Sequence, residues 1–263
     1  MYFTVSSSIR NWGDKLQKRY RYKKYIWWKH FNRPVIFFGF YKPKDWLKFF
    51  FHRGEKTIVW CGSDIFQVGL LFRLLQGIKA THICENKIEQ GILQLALQRG
   101  DIIAKPLCFS NPDDFQICYK PNKNPHVFIH INKKAESESG YYWIESVAPK
   151  VPNITFHIYG RMESRKASPN VVFHGFVSED KFNSDIKNYQ GALRLHQFDG
   201  FADTVSKSAL MGQYPIAAIK YPHIEHAYNS KSLIKCLKSL SKKTKPNYKT
   251  RMYYLKKFNQ PLV

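Results

Sequence analysis

The chain reads as an α/β protein of two Rossmann-like domains, on three observations. Short β-rich apolar runs alternate with longer helix-like segments through most of its length, the pattern of βα units in parallel sheets covered by helices on both faces. A break at residues 110–125, SNPDDFQICYKPNKNP, carries three prolines and several turn-forming Asn and Asp, and separates one run of strands from another. With 263 residues, 44% of them hydrophobic, the chain can fill two modest cores.

In the first half, strands are expected at residues 35–38, 57–60, 80–84 and 102–104, with helices at 43–52, 66–76 and 87–99. In the second half, strands fall at 127–131, 154–159, 171–174, 192–195 and 215–219, and helices at 139–148, 179–188 and 204–211. The expected division is a basic N-terminal segment plus a shortened domain over 1–120, a second domain over 121–240, and a basic tail over 241–263. SKKTKPNY at 241–248 reads as an exposed linker to a short aromatic-basic end.

Net charge is +23, and the excess sits at the ends. Residues 1–56 hold fourteen Lys and Arg against three carboxylates, and ten basic residues with no carboxylate follow Glu225. Such a field favours an anionic membrane surface or a polyanion. RYRYKKYIWWKHF, with rings among cations, suits a lipid headgroup layer, and equally single-stranded nucleic acid. A lysine-rich solvated surface is the plain alternative. The opening residues lack the apolar core of a signal peptide, and no apolar run reaches the roughly 20 residues of a membrane span, so a cytoplasmic location is expected. Five scattered cysteines form no C-x-x-C pair and read as buried thiols.

The most informative stretch is GALRLHQFDGFADTVSKSALMGQYPIAAI, residues 191–219. It reads as a buried strand, a loop with Asp199, Gly200, Asp203 and Thr204, a helix, and a second apolar strand. Helix N-termini at strand ends offer free N–H groups to anions, so this loop can grip a phosphorylated ligand; an ordinary strand-turn-helix is the other reading. Arg194 and His196 alternate on the preceding strand and share one face, as lining of a pocket or as partners in the core.

Residues 126–220 then show an ordered set: HVFIHI, a helix, VPNITFHIYG, NVVFHGFVSEDKF and the stretch just quoted. This set resembles the nucleotide-sugar-binding domain of group 1 glycosyltransferases with the GT-B architecture. In that family a strand ends in glycine before a basic residue, as at Gly160-Arg161, and a later strand leads to a turn like His174-Gly175-Phe176-Val177. The resemblance implies two Rossmann-like domains facing across a cleft, the N-terminal acceptor domain here reduced. It implies a hexosyltransferase moving sugar from a nucleotide-sugar to a glycan or lipid-linked acceptor at the cytoplasmic membrane face. No cofactor is expected, and no metal, since the D-x-D motif of the other glycosyltransferase fold is absent. A nucleic-acid-binding protein on a Rossmann-like frame and a non-catalytic scaffold are the alternatives.

The family pattern has two glutamates with seven residues between them; here those positions hold Asp199 and Lys207. Asp199 can stand beside the sugar with a shorter reach, but an ammonium cannot accept from a ribose diol, so either Asp203 or Ser206 takes that task, the nucleotide sits differently, or donor binding is impaired. Arg161 is the expected diphosphate ligand, with Lys207 and the N–H groups of residues 202–205 adding positive field. Gly160, His174, Gly175, Phe176, Arg194, Gly200 and Thr204 complete the expected donor site. In the first half, Gly62-Ser63-Asp64 follows an apolar strand, and Asp64 is expected to orient an acceptor hydroxyl or act as general base. His82, Glu85 and Asn86, at the next strand end, are its rivals.

Overall fold

A computed structural model describes residues 1–67, 71–131, 139–160 and 166–263. It divides into two compact units. The first comprises Met1–Asn111, Phe198–Phe201 and Pro261–Val263; the second comprises Pro112–Gln197 and Ala202–Gln260.

The first unit is a parallel sheet of β1 (Tyr2–Val5), β2 (Lys23–Lys24), β3 (Val35–Phe38), β4 (Lys56–Val59), β5 (Thr81–Cys84) and β6 (Ile103–Ala104), in the order β2-β1-β3-β4-β5-β6. Its helices are α1 (Arg10–Arg19), α2 (Trp27–His30), α3 (Pro43–Phe51), α4 (Leu71–Gln76) and α5 (Lys87–Leu97). Every residue of β3 is buried, as a strand covered on both faces requires. Alternation sends Val35, Phe37, Ile58 and Trp60 into one core layer, and Ile36, Phe38, Val59 and Ile83 into the other. The opening residues, read from sequence only as basic and aromatic, supply β1 and α1. β1 pairs in register with β3, Phe3 opposite Ile36. Four residues were too few to show a period.

The second unit is a parallel sheet of β7 (His126–His130), β8 (Thr155–Tyr159), β9 (Val171–Gly175), β10 (Gly191–Arg194), β11 (Ile216–Ala217) and β12 (Glu225–His226), in the order β12-β11-β10-β7-β8-β9. Its helices are α6 (Tyr141–Val147), α7 (Glu179–Asp185), α8 (Asp203–Leu210), α9 (Ser230–Leu240) and α10 (Tyr248–Phe258). Val127, Ile129, Phe156, Ile158 and Leu193 pack one face against Ile144 of α6 and Leu233 and Leu237 of α9. On the other face, Phe128 meets Phe182 of α7 edge-on, ring centroids 5.8 Å apart.

The C-terminal segment is not a loose tail. Thr250, Tyr254 and Phe258 recur at four-residue spacing and are buried, so α10 packs on α8. The Tyr254 hydroxyl donates to the Pro222 carbonyl (2.9 Å) and Thr250 to that of His223 (2.7 Å). The Arg251 guanidinium donates to the carbonyls of Phe115 and Leu210, covering the end of α8. Lysines interleaved with this apolar stripe hide it in the sequence. Removing one of its buried rings, Phe258→Ala, is expected to cost about 3–5 kcal/mol in urea denaturation.

Candidate functional site

At the carboxyl end of the first sheet, carboxylates cluster around the loop 198–201. Asp64 has no exposed surface; its Oδ1 accepts from Cys61 N (2.8 Å) and its Oδ2 from Phe40 N (3.1 Å). It therefore ties the turn after β3 to the turn after β4. Both oxygens being engaged and shielded, the general-base role expected of Asp64 is corrected to a structural one. Burial pushes its pKa up to about 7, against the pull of its backbone N–H donors.

The rivals at the end of β5 fill the space instead. Asn86 Oδ1 caps α5 through Ile88 N (2.9 Å) and Glu89 N (3.0 Å), while its Nδ2 donates to the Asp199 carbonyl (2.7 Å). Glu85, 4% exposed, receives the Phe201 backbone N–H, and its Oε1 is buried with no hydrogen-bond partner. Glu85 N donates to Glu89 Oε2 (2.7 Å), and Glu89 Oε1 is likewise buried and unpaired. A Cβ on Gly200 would lie 1.7 Å from Glu85 Oε2, so a side chain there would push the Glu85 carboxyl from its place. Gly62, at φ +81°, faces Gly200 N in the same way. Burial first, then mutual repulsion with Asp64 and Asp199, holds the carboxyls of Glu85 and Glu89 well above their usual range. Glu89, three residues inside α5, was missed; an acid at that position looks like ordinary helix capping. His82 is inside the core, receiving the Trp60 indole N–H (3.2 Å) and held to about 4 by burial.

In the second unit the chain runs from β7 to β8 and β9 on one side, then returns to β10 on the other, so strand order reverses between β7 and β10. Ligands of open α/β sheets bind outside the carboxyl ends at such a point. His130 ends β7, Gly160 follows β8, and Arg194 ends β10. Gly160 has φ +81°, and a Cβ there would meet His130 Nε2 at 2.6 Å and the Ile131 carbonyl at 2.8 Å. The His130 ring is open to solvent yet partly desolvated by these strand ends; that, with the nearby cations Arg194 and Lys207, holds its pKa below the usual value. Sequence reading passed over His130, whose only signal was a polar residue closing HVFIHI.

Helix α8 starts at this edge. Helices α5, α7, α9 and α10 begin under an Asn or Ser side chain that accepts from their first amides; α8, like α1, α2 and α6, begins with no side-chain cap, at Ala202. The Thr204 hydroxyl in its first turn is buried and has no hydrogen-bond partner. Both features suit a ligand with acceptor oxygens.

Other expected donor residues are used within the fold. Lys207 is 3% exposed; its Nζ lies 2.8 Å from Asp203 Oδ2 and 3.6 Å from Glu179 Oε1, over the rings of Phe115 and Phe182. Its charge is paired within the fold, where the expectation was that it adds positive field for the diphosphate. Ser206 is buried and donates to the Ala202 carbonyl (3.2 Å), leaving Asp203, 27% exposed, at the helix start. His174 Nε2 meets His157 Nδ1 (2.8 Å) and its ring stacks on Tyr159, in a histidine row completed by His126. Gly175, at φ +66°, accepts from Gly160 N (2.9 Å), Phe176 is exposed, and His196 Nε2 pairs with Ser139 Oγ (3.1 Å). Arg161 lies outside the described residues.

No protein-family model and no curated protein matches the sequence. Solved structures do match its architecture. TarM of S. aureus, solved with UDP and glycan ligands, is 13% identical, over 88% of this chain and 54% of that one, with a TM-score of 0.60. HepE of Anabaena, solved with UDP and glucose, is 12% identical over 96% and 79%, TM-score 0.61. WaaB, a lipopolysaccharide outer core galactosyltransferase, is 14% identical over 96% and 78%, TM-score 0.61. The chain has the GT-B fold. It spans about half the length of TarM and about four fifths of HepE and WaaB.

In this GT-B chain the carboxyl cluster makes stability fall with rising pH. A carboxyl held above its unfolded value of about 4 supports folding fully below that pH, and its contribution is lost as pH rises through the folded value. Depressed histidines such as His82 act only below about pH 6.5, where the unfolded ring titrates. Between about pH 6.5 and 8.5, denaturation should therefore show a loss of stability that Glu85→Gln reduces by about 1–3 kcal/mol.

Proposed function

We propose that this GT-B protein is a glycosyltransferase of the hexosyltransferase type, moving a sugar from a nucleotide-sugar to a glycan or lipid-linked acceptor at a cytoplasmic membrane face, without a metal. The observation that carries the reading is the carboxyl edge of the second sheet. There the reversal point, the Gly160 turn, Arg194 and the uncapped start of α8 converge. The UDP bound in TarM and HepE supports a nucleotide diphosphate as the ligand class.

Breaking the bond between the anomeric carbon and the diphosphate gives that carbon oxocarbenium character and loads charge onto the leaving group. Arg194, the amides of the first turn of α8 and the Thr204 hydroxyl are assigned to its oxygens. Arg161 joins them on sequence grounds. Donors aimed at the leaving oxygens stabilise this transition state more than the ground state. Asp203 is assigned to the ribose diol, since Lys207 only donates and Ser206 is turned inward. Asp199 and Gly200 are assigned to the sugar on sequence grounds. The acceptor oxygen takes the anomeric carbon, and its proton can leave to the departing phosphate oxygen, so a buried Asp64 is no obstacle.

Thermal shift with UDP-, GDP-, ADP- and CMP-sugars tests the reading, because a ligand bound only to the folded state raises apparent stability. One nucleotide series is expected to stabilise the protein. Arg194→Ala and Thr204→Val should each weaken that binding by about ten- to a hundredfold, the scale of a charge-assisted hydrogen bond. Arg161→Ala should abolish transfer with the fold intact. No shift with any donor, or full affinity in all three variants, overturns the assignment.

A further inference from the structure

The first unit carries large apolar side chains on its outside. Trp28 is 65% and Phe51 68% exposed, and Trp27, Phe31 and Leu47 are exposed with them. They come from α2 and from the C-terminal end of α3, which form one surface. The Phe31 carbonyl accepts from Arg53 N (2.8 Å) and Gly54 N (3.0 Å), laying the turn after α2 on the turn after α3. A Cβ on Gly54 would lie within 2.7 Å of the Asn32–Arg33 backbone, so glycine is what permits that contact. Beneath, the Tyr25 hydroxyl meets His52 Nδ1 (2.9 Å), and His30 stacks on Tyr2 with ring centroids 4.0 Å apart. Leu47 and Phe51 stand one turn apart on α3. The rings therefore project from a fixed surface.

The charge around them is mostly positive, with Glu55 the one exposed carboxylate of the stretch. Lys24, Lys29, Arg33, Lys44 and Arg53 are exposed, while Asp45 and Glu55 are the only carboxylates between Lys15 and Ser63, and Asp45 is buried. A second copy of the chain would bring cations against cations in a two-fold contact. Stacked bases need parallel ring platforms, whereas Trp27 and Trp28 stand edge to face at 88° and Leu47 offers no ring at all. Indoles beside apolar side chains, rimmed by long basic side chains, fit the headgroup layer of an anionic bilayer. The basic C-terminal helix exposes Tyr248 and Met252 but carries no indole, and its Tyr254 and Phe258 are buried against α8.

We propose that α2 and the C-terminal end of α3 form a docking surface for an anionic lipid bilayer, into which Trp27, Trp28, Phe31 and Phe51 insert. This deepens the membrane-face reading of function, on which its place in a reaction rests; the binding itself needs no substrate. Flotation of the full chain with phosphatidylcholine vesicles, with and without phosphatidylglycerol, tests it. Binding is expected only to the anionic vesicles and to weaken with salt. Trp27→Ser with Trp28→Ser, or Phe51→Ser, should lower partitioning at least ~tenfold. Lys29→Glu with Arg33→Glu should remove the preference for anionic lipid. Unchanged melting temperatures would show that these surface variants fold. No flotation with anionic vesicles, equal flotation of all variants, or variant-sensitive binding of a single-stranded oligonucleotide in place of vesicles would overturn the proposal. Donor binding followed in parallel separates the two readings: a protein that stabilises with nucleotide-sugars but ignores vesicles defeats this inference alone, and the converse defeats only the transferase assignment.

Discussion

Parallel strands buried on both faces have no room for a charged side chain along their length, and this constraint governs where the chain can keep its chemistry. β3, with four buried positions, shows the condition in the first unit; Val127 to Ile129 of β7 show it in the second. Charged groups are driven to the strand ends, and because the paired strands run parallel their carboxyl ends lie on one edge of each sheet. His130, Gly160 and Arg194 share that edge because three strands stop there, with no local signal linking residues so far apart in sequence. The same constraint gathers Asp64, Glu85 and the 198–201 loop in the first unit.

This explains which parts of the protein were legible in its sequence. Strands such as VIFF and HVFIH are unbroken apolar runs between turn residues, and every one expected from residue 35 to 219 is present within a few residues of its expected bounds. Elements that failed to show themselves have weak periodicity for identifiable reasons. β1 is four residues at the chain start, and α10 dilutes its stripe of Thr250, Tyr254 and Phe258 with cations. At the site, residue type and strand-end position were legible, but side-chain direction was not. Gly62-Ser63-Asp64 looks the same whether the carboxylate faces a ligand or, as here, turns inward to amides that include one 24 residues away.

Buried charge is the commonest way that such a reading goes astray. Lys207 stands where a carboxylate was expected, and a cation near a phosphate site invites an electrostatic role. Its pairing with Asp203 and Glu179 costs desolvation of the ammonium and returns it as attraction within a nearly dry enclosure. The ammonium is committed to these two carboxylates, and of its surroundings His130 still feels its charge. What it supplies is geometry: at i and i+4 on α8, Lys207 holds the Asp203 carboxylate at the first turn, so the substitution alters where the acid stands more than how much charge the edge carries.

The loop between Asp199 and Phe201 has the opposite problem, because it is held by acids. Glu85 receives the Phe201 N–H and presses on Gly200, while Asn86 fastens the Asp199 carbonyl. Were Glu85, Glu89, Asp64 and Asp199 all ionised, their repulsion in a poorly solvated space would oppose that grip. Retaining protons on the buried members removes the conflict and leaves a neutral acid able to hydrogen-bond without repelling the loop. The loop's hold on the first unit is then a function of protonation, set by burial around the end of β5.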